Sequence, residues 1–362
     1  MKRIAFAIVA AGMTVAASSA QSANIVETAQ QAGSFKTLLA AAEAAGLVAA
    51  PDLVGLTRTV RDDVFLDDER TEAAITGTAT VNATGADADI VVTNKVRLPQ
   101  AVLSQAPRLQ LVAVAATGTD NVDLKFCASR GIAVSNIRNY AVNTVPEHTF
   151  ALIFALRRSI CAYRESVNAG RWQASGQFCY FDHPIRDLAG STLGVIGDGV
   201  LGLSVATLAK ALGMRVLFSA FKGAAPMGGL YTHFDEFLAR SDIISLHCPL
   251  NEQTRGMLGA PEFAKMTRKP LIINTARGGL VDEDAVGPAL EAGQISGAGF
   301  DVVSVEPPPA DHPFVALSQR PDFILTPHVA WASEEAIQEL ANQLVENIEW
   351  FARGSPRNLV MA

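Results

Sequence analysis

The feature that most constrains the fold is a glycine-rich turn between an apolar run and an Ala/Leu-rich segment. Residues 191–223 read STLGVIGDGVLGLSVATLAKALGMRVLFSAFKG, which predicts the order strand, glycine turn, helix and second strand. Gly197, Gly199 and Gly202 have the spacing GxGxxG. The first glycine permits a tight turn, the second lets a ligand approach the backbone, and the third lets the helix pack closely on the strand. In this context the turn predicts a dinucleotide-binding site.

The residues after the turn bear on which dinucleotide is bound. The amides of Val200 and Leu201, at the start of the helix, are predicted to face the phosphates. The second strand should end in an acidic residue for the adenine ribose, but Ser219 and Ala220 stand there, followed by Lys222. A missing carboxylate and a nearby ammonium favour NADP over NAD. In the alternative interpretation Lys222 is a solvated loop lysine and backbone groups hold the ribose.

Composition excludes several classes of function. The chain has 362 residues, 49% of them hydrophobic, and a formal net charge of −7, so we expect a globular protein without a nucleic-acid or anionic-membrane partner. Its four cysteines lack CxxC spacing, which argues against a metal site or a disulfide framework and predicts small buried side chains: Cys127, Cys161, Cys179 and Cys248.

The N-terminus has a different character from the rest of the chain. Residues 1–23 have a basic start, an apolar centre and small residues at the end, which predicts a secretory signal peptide and export, for example to a periplasm. The apolar run is short for a membrane span, and an unprocessed anchor is the alternative. No second such segment follows, so no integral membrane partner is expected. Residues 24–62 resemble the opening helices of a fasciclin adhesion domain.

From residue 63 the pattern changes to strands alternating with helices, which predicts an α/β fold with doubly wound parallel sheets. The first sheet is predicted from the apolar runs VFLDDE, DIVVTN, LQLVAVAA and GIAVSN. The second is predicted from TLGVIG, RVLFSA, DIISLHC, PLIINTA, SGAGFDVV and FILTPH. Between the two sheets, TVPEHTFALIFALRRSICAYRESV predicts one long helix, and the segment RWQASGQFCYFDHPIRDLAG predicts a loop with exposed aromatic side chains. A final helix is predicted from SEEAIQELANQLVENIEWFARG.

Polar residues follow three late strands. Arg277 follows one strand, Asp301 and Glu306 follow the next, and His328 and Trp331 follow the last. Because ligands bind at the carboxyl ends of parallel strands, these side chains are expected to share one cleft. A guanidinium suits the oxygens of a 2-oxo acid, a histidine can supply a proton, and a carboxylate beside it favours the protonated imidazole. Each residue alone also has an ordinary interpretation as a surface ion pair, a loop charge or a buried histidine.

The ordered series of motifs resembles the D-isomer-specific 2-hydroxyacid dehydrogenases. The matching segments are AATGTDNVDL, VSNIRNYAVNTVPEHTFALIFALRR, GSTLGVIGDGVLG, DIISLHCPLNEQTRGML, INTARGGLVDEDAV, GAGFDVVSVEPP, TPHVAWAS and PRNLV. TNK at residues 93–95 and Trp331 are most similar to the glycerate dehydrogenase and hydroxypyruvate reductase branch. The resemblance implies reduction of hydroxypyruvate or glyoxylate to D-glycerate or glycolate with NAD(P)H, and a catalytic set of Arg277, Glu306 and His328.

The resemblance also implies further site residues and a domain arrangement. Substrate contacts are expected from Lys95, Thr117, Gly118 and Trp331. Additional cofactor contacts are expected from Val145, Cys248, Pro249, Thr275, Ala276 and Asp301. The expected build is two Rossmann-like domains, with a cofactor domain at 141–328 inserted into a substrate domain formed by 63–140 and 329–362. The resemblance further implies a homodimer that pairs through the long helix around Phe150 and the aromatic loop that follows it.

Two features conflict with a cytosolic enzyme of this kind. The family is cytoplasmic, whereas a signal peptide implies export, and the first strand–helix unit after residue 63 is short. The fasciclin-like segment and the export signal give the alternative function, a non-catalytic dinucleotide-binding sensor or an exported adhesion-type protein. The short first unit gives a separate alternative, an inactive fusion remnant of an enzyme. Retention of all three polar residues favours the enzyme.

Overall fold

The computed structural model describes residues 4–6, 88–226 and 228–361. The chain divides into two compact units, one formed by Met1–Tyr140 with Glu334–Ala362 and the other by Ala141–Ser333. The fasciclin-like segment, the VFLDDE run and all of the predicted signal peptide except residues 4–6 lie outside the described residues.

The described elements alternate between strands and helices. The strands are β1 Ile4–Phe6, β2 Ile90–Thr93, β3 Leu111–Val114, β4 Ala133–Ser135, β5 Thr192–Ile196, β6 Arg215–Ser219, β7 Tyr231–Thr232, β8 Ile243–Leu246, β9 Leu271–Asn274, β10 Gly297–Phe300 and β11 Phe323–Leu325. The helices are α1 Gln100–Leu103, α2 Leu124–Arg130, α3 Thr144–Arg157, α4 Ile160–Asn168, α5 Arg171–Ser175, α6 Val200–Ala211, α7 Phe234–Arg240, α8 Ala260–Phe263, α9 Glu283–Glu291, α10 Pro313–Leu317 and α11 Glu334–Ala352.

The first unit is built on a four-stranded parallel sheet in the order β1-β2-β3-β4. All residues of β2 and β3 are buried, as expected for parallel strands that are covered on both faces. The predicted C-terminal helix is present as α11, and its Leu344 and Ile348 pack with Ile90, Val92 and Leu111 of the sheet. The last helix of the chain therefore completes the core of the first unit.

The edge strand of this sheet comes from the start of the chain. The backbone of Ile4–Phe6 pairs in parallel with Ile90–Val92. These three residues lie in the segment that the sequence predicts to be a signal peptide, and their structure here is that of a sheet strand. Cleavage of that segment remains a prediction.

The second unit contains a seven-stranded parallel sheet in the order β7-β6-β5-β8-β9-β10-β11. The chain moves outward from β5 to β7, then returns beside β5 and continues in the other direction, so the sheet is doubly wound as predicted. All six strands predicted from apolar runs are present, and the two-residue strand β7 is an addition. Two clusters of buried side chains flank the sheet, one around Phe237 and Phe263 and the other around Ile153 and Val205. No helix within the described residues has the length and apolarity needed to cross a bilayer.

The prediction of one long helix after residue 143 is wrong. Ser159 has a left-handed φ of 50° and separates α3 from α4. Its hydroxyl donates to the carbonyl of Pro184 at 2.7 Å, a contact across 25 residues that a local apolar pattern does not encode. The segment predicted as a loop also contains the short helix α5.

The expected burial of the cysteines holds only in part. Cys127 is buried and Cys248 is half-buried, and burial raises the pKa of each thiol to about 11. Cys161, on α4, and Cys179, in the loop after α5, are exposed. The prediction of buried side chains is therefore wrong for these two positions.

His247 gives the second unit a pH-dependent stability. Its Nε2 lies 2.8 Å from Ser245 Oγ, and among the described residues its buried Nδ1 has no hydrogen-bond partner. Burial lowers the pKa of His247 from 6.5 to about 4. The unfolded chain therefore binds a proton that the folded chain rejects as pH falls from about 6.5 toward 4, and stability is lost across this window.

We expect the free energy of unfolding to fall by about 2 kcal/mol more between pH 7 and pH 5 in the wild type than in His247→Gln. Urea unfolding at the two pH values measures this difference. His233→Gln is the matched control, because His233 is exposed in the same unit. Equal pH dependence in wild type and His247→Gln would exclude His247 as the source.

Candidate active site

The glycine turn after β5 has the close backbone packing that its spacing predicts. Gly197 has a φ of 103°, and a Cβ there would lie 2.6 Å from the carbonyl oxygen of His247. A Cβ on Gly202 would lie 2.0 Å from the carbonyl oxygen of Gly197. A Cβ on Gly199 would meet nothing within 4 Å, so the turn is packed at its first and third glycines and open at its second.

The N-terminus of α6 fits a phosphate group. Gly199 occupies the N-cap position without a side chain to cap the helix, and the first turn of α6 has no acidic residue. Val200 is exposed and Leu201 is half-buried, so the first amides of the helix lie at the surface. Amides at such a terminus, together with the helix dipole, favour an anion.

An acidic side chain lies beside this terminus. Tyr231 Oη donates to Asp198 Oδ2 at 2.5 Å, and this hydrogen bond raises the pKa of the phenol. The protonated phenol of Tyr231 therefore donates to one carboxylate oxygen of Asp198, which lies between Gly197 and Gly199. Tyr231 belongs to β7, a two-residue strand that the sequence pattern does not predict.

Lys222, just after β6, is held by two partners and is not a solvated loop lysine. Ser219 Oγ donates to the carbonyl of its neighbour Ala220, which is buried. Lys222 Nζ pairs with Glu262 Oε1 at 2.9 Å and donates to the carbonyl of Met257 at 3.1 Å. The carboxylate of Glu262 is 6% exposed. The positive charge that favours NADP in the sequence analysis is thus engaged by a buried carboxylate.

The other residues expected around the cofactor lie at the carboxyl ends of neighbouring strands. Thr275 follows β9, and its hydroxyl lies 2.9 Å from that of Thr149 on α3. Thr149 Oγ1 also lies 2.8 Å from the carbonyl of Val145, so Val145 is tied to the end of β9. Ala276 follows Thr275 and is half-buried.

Cys248 and Pro249 lie at the carboxyl end of β8, the strand next to β9. Cys248 Sγ lies 4.0 Å from Met257 Sδ, and the Pro249 carbonyl accepts from Thr254 Oγ1 at 2.7 Å. Because burial raises the pKa of Cys248 to about 11, its thiol is protonated near neutral pH. These contacts hold the Cys248–Pro249 segment in place, and its cysteine is a neutral thiol.

The structure brings together His328 and Glu306, two of the three predicted catalytic residues. His328 Nδ1 lies 2.7 Å from Glu306 Oε2, and both side chains are partly exposed. A carboxylate accepts from Nδ1–H and thereby leaves Nε2 as the nitrogen facing away from the pair. Glu306 Oε1 also accepts from the Val303 amide at 3.2 Å.

The backbone around His328 is held by Asp301. The carboxylate of Asp301 accepts from the amides of Val329 at 3.0 Å and Ala330 at 2.8 Å, and from Thr326 Oγ1 at 2.5 Å. His328 itself has a left-handed φ of 54°, and its amide donates to the carbonyl of Asp301 at 2.8 Å. Asp301 is 1% exposed, so its charge is directed into the turn that carries His328.

Two further side chains complete this turn. Trp331 Nε1 donates to the carbonyl of His328 at 3.0 Å. His148 Nε2, from α3, lies 3.1 Å from Thr326 Oγ1 and 3.6 Å from Asp301 Oδ1. His148 was not predicted from the sequence, because it lies inside a helix and far from the catalytic motifs.

Arg277 lies on a turn shaped by the side chain of Asn274. Asn274 Nδ2 donates to the carbonyl of Arg277 at 2.8 Å, and Asn274 Oδ1 accepts from the Ala276 amide at 3.1 Å. The next residue, Gly278, packs against the backbone of Val303, where an added Cβ would lie 2.0 Å from the carbonyl carbon. The Arg277 turn and the loop that carries Glu306 are therefore in direct backbone contact.

The predicted substrate residues of the first unit follow β2 and β3. Asn121 Nδ2 donates to the carbonyls of Asn94 at 3.2 Å and Val96 at 2.9 Å, which fixes the loop that carries the exposed Lys95. Thr117 Oγ1 donates to the carbonyl of Ile137 at 2.8 Å, and half-buried Gly118 follows it. Asn121 was not predicted, although the segment that contains it was.

Known proteins are similar to this chain in sequence and in fold. Residues 150–330 match the family described as D-isomer specific 2-hydroxyacid dehydrogenase, NAD binding domain. A glycerate dehydrogenase of Methylorubrum extorquens is 54% identical over 276 residues, which cover 76% of this chain and 86% of that protein. This chain belongs to the D-isomer specific 2-hydroxyacid dehydrogenase family.

Two further similar proteins are named as reductases. A hydroxypyruvate reductase of Blautia hydrogenotrophica is 37% identical over 277 residues, covering 76% of this chain and 85% of that protein. The structure of an NADPH-dependent glyoxylate/hydroxypyruvate reductase from Sinorhizobium meliloti superposes with a TM-score of 0.67 at 28% identity, covering 77% of this chain and 87% of that one. The family binds a nicotinamide dinucleotide, and the residues of the glycine turn fit such a group.

The glycine turn gives a matched pair of substitutions. Gly202→Ala places a methyl group against the carbonyl of Gly197, so we expect it to destabilise the fold by about 1–3 kcal/mol. Gly199→Ala meets no protein atom within 4 Å, so we expect only the loss of stability of an alanine at the N-cap, about 1 kcal/mol or less, but weaker NADH binding, because the methyl group occupies the approach to the helix terminus. Thermal unfolding and fluorescence titration with NADH separate the two effects. Tight NADH binding by Gly199→Ala would contradict the assignment of this surface to the phosphates.

Proposed function

We propose that this chain is an NAD(P)H-dependent reductase of small 2-oxo acids, with hydroxypyruvate or glyoxylate as substrate and D-glycerate or glycolate as product. The observation that carries the proposal is the 2.7 Å contact between His328 Nδ1 and Glu306 Oε2, on the sheet that also carries the glycine turn. The relatives described above are named as enzymes, which favours catalysis over a sensor or an adhesion protein.

The proposed catalytic roles are those that the chemistry of the three side chains supports. When bound, the nicotinamide supplies a hydride to C2 of the 2-oxo acid. His328, protonated and held through Nδ1 by Glu306, delivers a proton from Nε2 to the developing alkoxide, which gives the hydroxy acid. Arg277 binds the carboxylate and carbonyl oxygens of the substrate and polarises the carbonyl, as a planar guanidinium can address two oxygens at once. Glu306 stabilises the imidazolium.

The remaining site residues are proposed to bind the two ligands. The phosphates face the turn formed by Gly197, Gly199, Val200, Leu201 and Gly202, and the adenosine end lies near Ser219, Lys222, Cys248 and Pro249. The nicotinamide end is proposed to lie near Val145, Thr275, Ala276 and Asp301. Substrate contacts are proposed from Lys95, Thr117, Gly118 and Trp331.

For the choice of cofactor we propose that both NADH and NADPH are accepted. No carboxylate follows β6 to repel a 2′-phosphate, and the charge of Lys222 is neutralised by Glu262. The preference for NADP that the sequence favours would then require release of Lys222 from this pair.

A homodimer is proposed through the aromatic loop after α5. Phe178 is 93% exposed and Phe181 is 79% exposed, and Phe154 on α3 is partly exposed, whereas Phe150 is buried in the core of the second unit. Large apolar side chains exposed close together in sequence are typical of an interface.

Export by the N-terminal segment remains a proposal, tested by N-terminal sequencing of the protein recovered from the cell envelope.

The function is tested with the full chain by following absorbance of the nicotinamide band with hydroxypyruvate and with glyoxylate. We expect turnover by the wild type and a loss of about 10²–10⁴-fold in kcat for His328→Asn, because the proton donor is removed. Asparagine tolerates the left-handed backbone at this position, so the turn should persist. NADH affinity should be unchanged, and His233→Gln should retain full activity. Undiminished turnover by His328→Asn would overturn its assigned role.

The ion pair of Lys222 is tested by Glu262→Gln. The amide keeps an acceptor for the Gly259 amide, which Glu262 Oε2 binds at 3.0 Å, but removes the charge that holds Lys222. We expect the ratio of kcat/KM for NADPH over NADH to rise about ten-fold or more, as a freed ammonium pairs with the 2′-phosphate. Glu252→Gln, an exposed change of the same charge, is the control. An unchanged ratio would place Lys222 outside the ribose site.

A further inference from the structure

The loops that carry Arg277 and Glu306 share a buried acidic side chain outside the predicted site. Glu283 begins α9, and its side chain is 9% exposed. Its Oε1 accepts from the amides of Ser304 at 2.8 Å and Gly279 at 3.3 Å. Gly279 lies two residues after Arg277, and Ser304 lies two residues before Glu306.

The second oxygen of this carboxylate is also fully engaged. Glu283 Oε2 accepts from Ser304 Oγ at 2.7 Å and from His312 Nε2 at 2.9 Å. His312 Nδ1 accepts from the Phe314 amide at 3.2 Å. With Nδ1 as an acceptor, the proton of a neutral imidazole lies on Nε2 and points to Glu283. The tautomer of His312 is therefore fixed by the start of α10.

An independent contact joins the same two loops. Gly278 leaves no room for a Cβ, which would lie 2.0 Å from the carbonyl carbon of Val303 and 2.4 Å from the amide nitrogen of Ser304. The backbone of the Arg277 turn thus packs directly on the backbone that leads to Glu306. Glu283 binds both segments at the place where they touch.

We propose that Glu283, oriented by His312, is a positioning residue that fixes the guanidinium of Arg277 and the carboxylate of Glu306 relative to each other. Its four acceptor contacts require both oxygens to be charge-bearing acceptors. A neutral amide replaces one acceptor with a donor, which then faces Ser304 Oγ or His312 Nε2–H. The loops are then free to shift, and a displacement of about 1 Å at reacting groups lowers turnover by about 10²-fold. This inference rests on the proposed reductase activity.

The test compares Glu283→Gln with Asp284→Asn in the full chain. Asp284 is exposed on the same helix and undergoes the same loss of charge. We expect Glu283→Gln to lower kcat for hydroxypyruvate reduction by about 10²-fold with little change in NADH affinity, while Asp284→Asn remains like the wild type.

The pH profile separates positioning from a loss of stability. If Glu306 moves away from His328, the imidazolium loses its partner, and the pH above which kcat/KM falls should shift to lower values in Glu283→Gln. If Glu283 only stabilised the fold, its substitution would lower the melting temperature without changing the pH above which kcat/KM falls.

His312→Asn provides a second variant in case Glu283→Gln does not fold. Asparagine retains an acceptor for the Phe314 amide at the start of α10 but is too short to donate to Glu283. We expect a smaller loss of kcat, about ten-fold, and a lower pH above which kcat/KM falls, as in Glu283→Gln. Wild-type kinetics in both folded variants would overturn the positioning role. Absence of turnover in the wild type itself would instead overturn the proposed function.

Discussion

The buried carboxylate of Asp301 is the interaction on which the reactive end of the second unit depends. A charge removed from water is tolerated only where hydrogen bonds replace its hydration, and without them the penalty is several kcal/mol. Asp301 obtains these bonds from the backbone of Val329 and Ala330 and from the hydroxyl of Thr326. The chain after β11 must therefore turn around this carboxylate. His328 lies inside that turn, in a left-handed conformation that the surrounding hydrogen bonds maintain.

The parallel sheet determines which groups meet. Asn274, Phe300 and Leu325 are aligned in one row at the ends of β9, β10 and β11. Arg277, Glu306 and His328 each follow one of these strands by a few residues, so groups separated by up to 51 residues in sequence leave the sheet from neighbouring positions. Parallel strands with buried faces provide a fixed edge, and the loops beyond that edge carry the chemistry.

Much of this architecture is encoded locally. Buried parallel strands appear as continuous apolar runs, and the fully buried strands β5, β8, β9 and β10 of the second sheet have this pattern. The less buried strands β6 and β11 are present as predicted too. The glycine turn was predictable because Gly197 and Gly202 face backbone atoms at distances that exclude any side chain. The break at Ser159 was not predictable, because the apolar pattern continues through it and its cause is a carbonyl 25 residues away.

The contacts of individual polar and charged side chains could not be predicted from the sequence. The sequence does not reveal the ion pair of Lys222, because Glu262, its partner, is 40 residues away, and it gives no signal for the contacts that Glu283 makes with two loops. His148 and Asn121 act through hydrogen bonds to distant loops and have no motif of their own. A sequence identifies which residue types are available, whereas the role of a polar side chain is set by partners that only the folded chain brings near.

The contact at Gly278 has a consequence for engineering this scaffold. Because the loops that carry Arg277 and Glu306 meet backbone to backbone at Gly278 and both donate to Glu283, neither loop can be exchanged independently of the other. A loop transplanted from a homologue to alter substrate range must be transferred together with its counterpart, and a library that varies one loop alone samples mostly misfitted pairs.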